Sequence, residues 1–482
     1  MKGLNSVGLG RVAVCAASLL VAATAMAAEP PIVEMEAQVL AEGITADEYF
    51  AQQSALYDLL TAMLPGGVMD DVIRVQVTAE DLADIAAATT PMRIGVVKPV
   101  APAVAVTDLR LDRLTVRAGG SVIELTDGGY VWARSITSEG AGGIRIGLSN
   151  VSLPAGVSLY FFSAEGEAYG PYEGSGPSAD GEFWSESIFS STGILLLEVP
   201  GYVDPADLRR ASLTIANVGH IDPSFVTGVI GDEAGGTRGG FCGNLSCIVD
   251  ATCFNVPAAN PCKLAVAKME WISGPYIYTC TGGLLSDNNP SQNNYFLTAN
   301  HCISKNNNAS NVQFYWRFAT SSCNGACPSN SGWPYKTTGS AVRKTGRRGD
   351  FTLLQLNSNP PAGSVFLGWT SAPVANSNGT QLYRISNPNF GPQVYSQHNV
   401  DTSAPTCTGW PRGERIYSRN ITGGIDGGSS GSPVVNGSSQ VVGQLSGTCG
   451  FNPGDPCDSG SNATVDGAFA YYYSLVQPFL NP

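Results

Sequence analysis

The cysteines of this chain are confined almost entirely to its second half, and this limits what each half can fold into. Of 12 cysteines, eleven lie in residues 239–482, one is Cys15, and residues 28–238 contain none. Charge divides at the same place: residues 28–238 hold 29 acidic and 11 basic residues, whereas residues 239–482 hold 10 and 13. The sequence therefore predicts two domains of different chemistry, joined in a Gly-rich segment with the boundary after Arg238.

The first 27 residues have the pattern of an export signal. Lys2 and Arg11 precede an apolar run over residues 12–23, and Ala25-Met26-Ala27 offers a small-x-small cleavage site. The run is too short to span a bilayer, which takes roughly 20 residues. We therefore expect residues 1–27 to be a signal peptide and the product to be secreted, passing through the periplasm. No membrane association beyond export is expected, and the exported cysteines should be oxidised.

Residues 28–238 are acidic, with a net charge of −18 from 11 basic and 29 acidic residues. Apolar residues at helical spacing predict a helix over 46–64, and a second helix over 79–88 begins with a capping box of Thr78 and Asp81. From about residue 93, short alternating runs separated by Gly and Pro predict a β-sandwich-like part. The only histidine in this half is His220, so a folded, non-catalytic domain is expected.

Residues 239–482 have the texture of an all-β domain. Short apolar runs alternate with turns rich in Asn, Gly, Ser and Pro, and about 240 residues of this kind suit one double β-barrel. The whole chain carries a net charge of −13. Because phosphate neutralisation needs a basic face, a nucleic-acid partner is not expected.

Three motifs in this half bring together the residue types of nucleophilic catalysis. Leu-Thr-Ala-Asn-His-Cys ends in His301-Cys302, Gly-Asp-Phe-Thr-Leu-Leu begins at Gly349, and Gly-Gly-Ser-Ser-Gly-Ser-Pro contains Ser430. A serine hydroxyl needs a base to remove its proton, and a carboxylate holds that base in the correct tautomer. Each motif alone could be structural, but together they predict a triad of His301, Asp350 and Ser430. The amides of Gly428 and Ser430 are the candidate oxyanion donors.

Residues 247–482 resemble the trypsin-like serine peptidases, specifically the bacterial lysyl endopeptidase branch, through the strings Thr-Ala-x-His-Cys, Asp-Phe-Thr-Leu-Leu and Gly-Ser-Ser-Gly-Ser-Pro. The resemblance implies a chymotrypsin-like double β-barrel with the active site in the cleft between the barrels. It also implies synthesis as a pre-pro-protein, in which residues 28–238 are an acidic propeptide and residues 239–482 the peptidase. The expected partners are protein or peptide substrates and the chain's own propeptide.

The resemblance further implies three disulfide bridges, Cys247–Cys457, Cys253–Cys323 and Cys280–Cys302. The cysteines left over are an odd set whose pairing the sequence leaves open: Cys242, Cys262, Cys327, Cys407 and Cys449. A zinc site at Cys323 and Cys327 is the rival interpretation, and an exported chain favours disulfides over it. No metal and no cofactor are expected.

Specificity requires a carboxylate if the pocket selects a cation. Asp466 is the first candidate, because its spacing after Cys457 is that of the lysine-binding aspartate in the lysyl endopeptidases, and Asp426 is the second. Ser446 departs from the family, whose best-known members have a histidine there. Cleavage after basic residues, Lys and possibly Arg, is the expectation. The alternatives are another specificity on the same fold, or a catalytically inactive β-barrel that serves as a binding module.

Overall fold

The computed structural model describes residues 31–40, 43–87, 89–226, 240–289, 292–328 and 335–482. The predicted signal peptide, 1–27, and the predicted boundary after Arg238 lie outside these residues. Residues 33–482 cluster into one unit by their contacts. We call its parts before residue 227 and after residue 239 the N-terminal and C-terminal regions. None of the described helices is long and apolar enough to cross a membrane.

The N-terminal region mixes short helices with strands. Its elements in chain order are β1 (Glu34–Met35), β2 (Gln38–Val39), α1 (Ala46–Ala62), β3 (Val72–Val75), α2 (Ala79–Ala86), β4 (Met92–Thr107), α3 (Leu111–Ala118), β5 (Ser121–Glu124), β6 (Tyr130–Ser138), β7 (Gly143–Ser152), β8 (Ser158–Phe162), β9 (Ala168–Tyr172), β10 (Phe183–Trp184), β11 (Thr192–Val199), α4 (Pro205–Leu208) and β12 (Ser212–Ile221).

The elements of the C-terminal region are mostly short strands, and the last is a helix. Its elements are β13 (Val249–Asp250), α5 (Asn260–Ala265), β14 (Val266–Ser273), β15 (Tyr276–Leu284), β16 (Tyr295–Ala299), α6 (Asn306–Ala309), β17 (Gln313–Trp316), β18 (Lys336–Thr338), β19 (Ser340–Gly346), β20 (Phe351–Leu356), β21 (Val365–Phe366), β22 (Trp369–Thr370), β23 (Gln381–Ser386), β24 (Val394–Val400), β25 (Arg415–Thr422), β26 (Pro433–Val435), β27 (Val441–Gly450), β28 (Asn462–Ala468) and α7 (Phe469–Leu480).

Both predicted N-terminal helices form, and each begins at a reciprocal cap. The Thr45 hydroxyl accepts a hydrogen bond from the Glu48 amide, and the Glu48 carboxylate accepts one from the Thr45 amide at 2.8 Å. Thr78 and Asp81 form the same arrangement at the start of α2. These caps satisfy backbone donors that the first turn of a helix leaves without partners, so short local motifs suffice to start both helices.

The N-terminal region is a sandwich of two sheets, as its alternating pattern predicts. One sheet has the order β3-β6-β11-β8-β9, with β5 also on β6, and the other contains β10-β7-β12-β4. Their shared core includes Trp132 and Phe161 from the first sheet and Ile146 and Leu213 from the second. Burial of such side chains stabilises by roughly 1.5–3 kcal/mol each, so this region builds a substantial core without cysteine.

Strand β4 joins the N-terminal region to the C-terminal region. One edge of β4 pairs with β12, and its first residues pair antiparallel with β15, with Met92 opposite Thr279 and Val96 opposite Tyr276. Near the start of the chain, β1 pairs with β22 and β2 with β21. The two regions therefore share sheets and contact each other at two separated places.

Buried ion pairs also cross between the regions. Arg145 Nη1 lies 3.3 Å from Glu270 Oε1, with both side chains fully buried. Lys336 Nζ lies 3.0 Å from Glu167 Oε1 in an almost equally buried pair. Because each pair joins opposite charges from the two regions, the contact is electrostatically matched, and separating the regions would leave both charges without their partners.

The C-terminal region contains one closed barrel and one open, curled sheet. Strands β27-β26-β23-β24-β25-β28 form a ring, closed by pairing of β27 with β28. The first half has the order β18-β17-β14-β15-β16-β20-β19 and is not closed by pairing between its end strands among the described residues. The chain turns at Gly339, with φ +83°, so that β18 pairs with β17 and β19 with β20. The expected double barrel is thus a barrel and a half-barrel.

Five disulfide bridges cross-link the C-terminal region. The structure contains the three bridges that the resemblance implies, Cys247–Cys457, Cys253–Cys323 and Cys280–Cys302. It also pairs Cys242 with Cys327 and Cys407 with Cys449, and leaves Cys262 as a buried thiol. Because Cys323 and Cys327 are each oxidised with a different partner, they do not form a zinc site.

Candidate active site

His301 lies just after β16, where the half-barrel meets the cleft. Its imidazole Nδ1 is 2.8 Å from Asp350 Oδ2, and its backbone N–H donates to Asp350 Oδ1 at 3.0 Å. The bridge between Cys302 and Cys280 ties the same turn to β15. Both carboxylate oxygens are therefore used to fix one residue, which leaves Nε2 pointing away from the carboxylate. That nitrogen is buried and has no hydrogen-bond partner among the described residues.

Asp350 is held by backbone geometry as well as by contacts. It has φ +52° and follows Gly349, at φ +80°, immediately before β20. Its carbonyl accepts hydrogen bonds from the Asn300 amide at 3.0 Å and from Gln444 Nε2 at 2.8 Å. A left-handed conformation is uncommon for a residue other than glycine and persists where the surroundings determine it. Here the surroundings come from both halves of the cleft, since Asn300 follows β16 of the half-barrel and Gln444 lies on β27 of the closed barrel.

Ser430 lies in a tight loop between β25 and β26. The flanking Gly428 and Gly431 have φ +88° and +82°, and a Cβ on Gly431 would lie 2.2 Å from Thr298 Oγ1. The Ser430 carbonyl accepts from the Thr281 amide at 2.8 Å, which anchors the loop to β15. Glycine is thus required for the loop to approach the half-barrel so closely.

Ser430 and His301 line one cleft of about 1000 Å³, together with Asp350. Within the described residues no hydrogen bond joins the Ser430 hydroxyl to His301 Nε2. Such bonds are often long in the absence of substrate and tighten only when the reacting complex forms. The three predicted triad residues are therefore brought together, with the carboxylate–imidazole contact made and the imidazole–hydroxyl contact open.

The backbone amides of Gly428 and Ser430 are available to a ligand. In the described part of the chain neither amide donates a hydrogen bond, whereas the Gly428 carbonyl accepts one from Thr281 Oγ1 at 2.8 Å. Uncommitted N–H groups in a glycine-rich turn can stabilise a developing negative charge without reorganisation. The Gly428 and Ser430 amides therefore stay the candidate oxyanion donors.

The two candidate specificity carboxylates have different surroundings. Asp426 lines the cleft, where its Oδ1 accepts from the Gly427 amide at 2.7 Å and its Oδ2 from Asn389 Nδ2 at 3.1 Å. Asp466 is fully buried, is not among the residues that line the cleft, and accepts a hydrogen bond from Arg384. Burial raises the pKa of the Asp466 carboxyl, and Arg384 opposes that rise. Arg384 already compensates the charge that Asp466 is predicted to offer to a substrate cation, and the contact of Asp466 with substrate stays a prediction.

Residues of the N-terminal region cover one edge of the cleft. Thr90 lines it beside His301 and Ser430, and a Cβ on Gly427 would lie 3.0 Å from Met92 Sδ. Sequence reasoning missed these two residues and Arg384, because no local motif marks them. The family resemblance, which implies the propeptide as a partner, and the division of charge between the two halves were the available signals that the regions associate.

One group of metal-ligand types lies beside the site. Ligand atoms of Cys280, His301 and Cys302 fall within 4.8 Å of one another. The two sulfurs are bonded to each other, however, and a disulfide does not supply the thiolates that zinc binds.

Comparison with known proteins places both regions in one family. The family described as "Lysyl endopeptidase, C-terminal domain" matches residues 243–459, and "Lysyl endopeptidase N-terminal domain" matches residues 71–222. A lysyl endopeptidase of Pseudomonas aeruginosa is 30% identical over 412 residues, which cover 82% of this chain and 82% of that protein.

Among solved structures, the similar chains are more distant. The HtrA-type protease AlgW with a tripeptide matches with a TM-score of 0.34 and 14% identity, over 46% of this chain and 62% of that one. The active form of the Rv3671c protease from M. tuberculosis matches with a TM-score of 0.33 and 17% identity, over 48% and 89%. On the sequence match across both regions, the chain belongs to the lysyl endopeptidase family of serine endopeptidases.

Proposed function

We propose that the chain is a secreted endopeptidase, made as a pre-pro-protein, whose triad is His301, Asp350 and Ser430. The observation that carries the assignment is the double contact of Asp350 with His301, at 2.8 and 3.0 Å, in the cleft that Ser430 also lines. A carboxylate so placed holds the Nδ1–H tautomer and leaves Nε2 as the base.

The reaction follows from that arrangement. His301 Nε2 takes the proton of the Ser430 hydroxyl as its oxygen attacks the substrate carbonyl, and Asp350 stabilises the imidazolium that forms. The imidazolium then protonates the leaving amine as the C–N bond breaks, which gives an ester on Ser430. Water attacks the ester with His301 again as base, and the acid is released. The Gly428 and Ser430 amides donate to the oxyanion in both halves of the reaction.

In this proposal the N-terminal region is the propeptide of the enzyme. Support comes from Thr90 and Met92 at the edge of the cleft and from the pairing of β4 with β15. An extended segment on an exposed strand edge is a common way to bind a peptide. Residues 28–238 therefore cover the peptidase until the joint around Arg238 is cut.

We further propose cleavage after basic residues, with Lys slightly favoured over Arg. The support is Asp426, a carboxylate that lines the cleft four residues before Ser430, and the similarity to the lysyl endopeptidase of Pseudomonas aeruginosa. One observation favours a second candidate, selection of small or aromatic residues. It is the pairing of Asp466 with Arg384, which removes the other carboxylate from use.

A fluorophosphonate probe tests the assignment, because it modifies only an activated serine. The processed wild-type protein should be labelled at Ser430, and Ser430→Ala should lose labelling and at least about 10⁴-fold of its turnover. If the joint is cut by the enzyme itself, Ser430→Ala should also accumulate at precursor length. The matched control is Ser429→Ala, the neighbouring serine, which should still be labelled. Turnover near the wild-type level in purified Ser430→Ala would refute the triad. Absence of labelling in folded, processed wild type would favour an inactive binding module.

A further inference from the structure

The interior of the closed barrel contains an ion pair that the catalytic chemistry does not use. Arg384 on β23 and Asp466 on β28 are both fully buried, and the guanidinium donates to Asp466 Oδ1. Arg384 Nη1 also lies 3.4 Å from His398 Nε2. Burial, with Arg384 as a second cause, lowers the pKa of His398 well below its usual value, so that imidazole is neutral. The cluster therefore has no net charge.

This pair lies directly behind one wall of the cleft. In the register of β27 and β28, Asp466 is opposite Leu445, and both Leu445 and the next residue, Ser446, line the cleft. Ser446 Oγ and Asp466 Oδ2 are both buried and have no hydrogen-bond partner in the described part of the chain. One carboxylate oxygen is thus satisfied by Arg384, while the other has no partner among the described residues and lies close to the wall of the cleft.

The guanidinium has two electrostatic effects on any second cation. It compensates the carboxylate, and it repels a like charge brought beside it. Both effects are strong here because interactions between charges weaken little where water is excluded. Removing only the guanidinium would reverse both, since an uncompensated buried carboxylate attracts a cation to replace the lost partner.

We propose that Arg384 sets the specificity of this enzyme by holding Asp466, so that the carboxylate behind the wall of Leu445 and Ser446 is already compensated and cation selection falls to Asp426 in the cleft. This deepens the proposed function and rests on it. Arg384 acts through Asp466 and is therefore a positioning residue. Its loss should change which side chain is selected without impairing the chemistry at Ser430.

The test uses the full chain, expressed and processed, with active enzyme counted by fluorophosphonate titration. The substrates are peptides that differ only in Lys, Arg or norleucine before the scissile bond. Arg384→Met should raise the kcat/KM ratio of Lys to norleucine at least tenfold, mainly through a lower KM for Lys. Arg384→Lys keeps the positive charge and should stay within threefold of wild type. An unchanged ratio in active Arg384→Met would overturn the proposal.

A second variant guards against misfolding of the first. Arg384→Met combined with Asp466→Leu removes both charges, and apolar replacement of a buried pair is often tolerated. Its Lys-to-norleucine ratio should stay within threefold of wild type. A fall of tenfold or more would mean that Asp466 selects the cation in the native enzyme, which overturns the proposal. A rise equal to that of Arg384→Met would also overturn it, since the gain would not need the carboxylate.

Failure of this inference is distinguishable from failure of the proposed specificity. The wild-type enzyme alone reports the specificity, which fails if norleucine is preferred to both Lys and Arg. The role of Arg384 is measured by dividing the Lys-to-norleucine ratio of kcat/KM in the variant by that in the wild type. The expected direction of this change is the same whatever the wild-type preference is.

Discussion

The two regions of this molecule reach a stable fold by different means. The N-terminal region has no cysteine and depends on a core between two sheets, with capped helices at its start. The C-terminal region is mostly loops and short strands and is cross-linked by five bridges. A disulfide bridge stabilises the folded state largely by restricting the unfolded chain, so it adds stability where packing alone is marginal. The contrast suits the proposed function, in which the C-terminal region acts outside the cell and the N-terminal region is removed.

The acidic side chains also lie in different surroundings in the two regions. Several N-terminal acids lie at helix caps or in half-buried pairs, such as Asp81, whose pKa is held at about 2 by Lys98 and by the Thr78 cap. In the C-terminal region Asp350, Asp426 and Asp466 lie at or beside the cleft. Acidic residues are therefore abundant in the N-terminal region, whereas the few in the C-terminal region include three at or beside the cleft.

The largest expected effect comes from removing the disulfide bridge that closes the longest loop. Replacing Cys247 and Cys457 with Ala opens a loop with a sequence separation of 210 and should destabilise the C-terminal region by up to about 5 kcal/mol. The measurement is hydrogen exchange resolved by region, in a Ser430→Ala background that prevents self-digestion. Amides of the closed barrel should lose protection, while those of the N-terminal sandwich core keep it.

The matched control is the bridge Cys407–Cys449, whose sequence separation is 42. Its removal should cost about 1 to 1.5 kcal/mol less, because the entropy of loop closure grows with loop length. Equal loss of protection in both regions of the Cys247/Cys457 variant would show that they unfold as one unit, and the comparison would fail.

An intermediate effect is expected from Asp426, an acid that lines the cleft. Asp426→Asn should lower kcat/KM about 30-fold for peptides with Lys or Arg before the bond, the equivalent of about 2 kcal/mol, and barely change a neutral substrate. Asp81→Asn, an acid of the N-terminal region, is the control and should change neither. A change below threefold in Asp426→Asn would assign the basic preference to another group, with Asp466 next in line.

The smallest effect is expected at the cap of α1. Thr45→Ala should cost about 1 kcal/mol and speed exchange of the first-turn amides of that helix about fivefold, with no change in turnover by the processed enzyme. Thr45→Ser keeps the hydroxyl and should exchange like wild type. If Thr45→Ala lowered the yield of active enzyme severalfold, then the N-terminal region would matter to folding of the other region, and the contrast would need revision.

Local features of the fold were predictable and long-range ones were not. The helices at α1 and α2 follow from capping residues three positions apart, and the triad follows from motifs that each carry their own loop chemistry. The pairing of β4 with β15 joins residues at least 180 positions apart, such as Val96 and Tyr276, and nothing in the sequence of either strand identifies its partner. The terminal helix α7 was missed as well, in a region whose other signals are those of strands.

The ion pair of Arg384 and Asp466 shows the same limit at the site. Spacing from Cys457 identified Asp466 as a candidate, but spacing says nothing of an arginine 82 positions earlier. The register of four strands determines which charged side chains meet inside the barrel, and this register is fixed only in the folded chain. Sequence thus located the acid and could not say whether it was already neutralised.

Strand β4 has a consequence for the timing of activity. A cut in the joint removes one covalent link, yet it leaves every hydrogen bond between β4 and β15 and both buried ion pairs in place. Peptide-bond cleavage and the appearance of a free cleft would then be two events, and the second is a dissociation whose extent depends on concentration. In the proposed maturation, the severed halves would remain together at the high concentration of the periplasm, and dilution outside the cell would release the active enzyme.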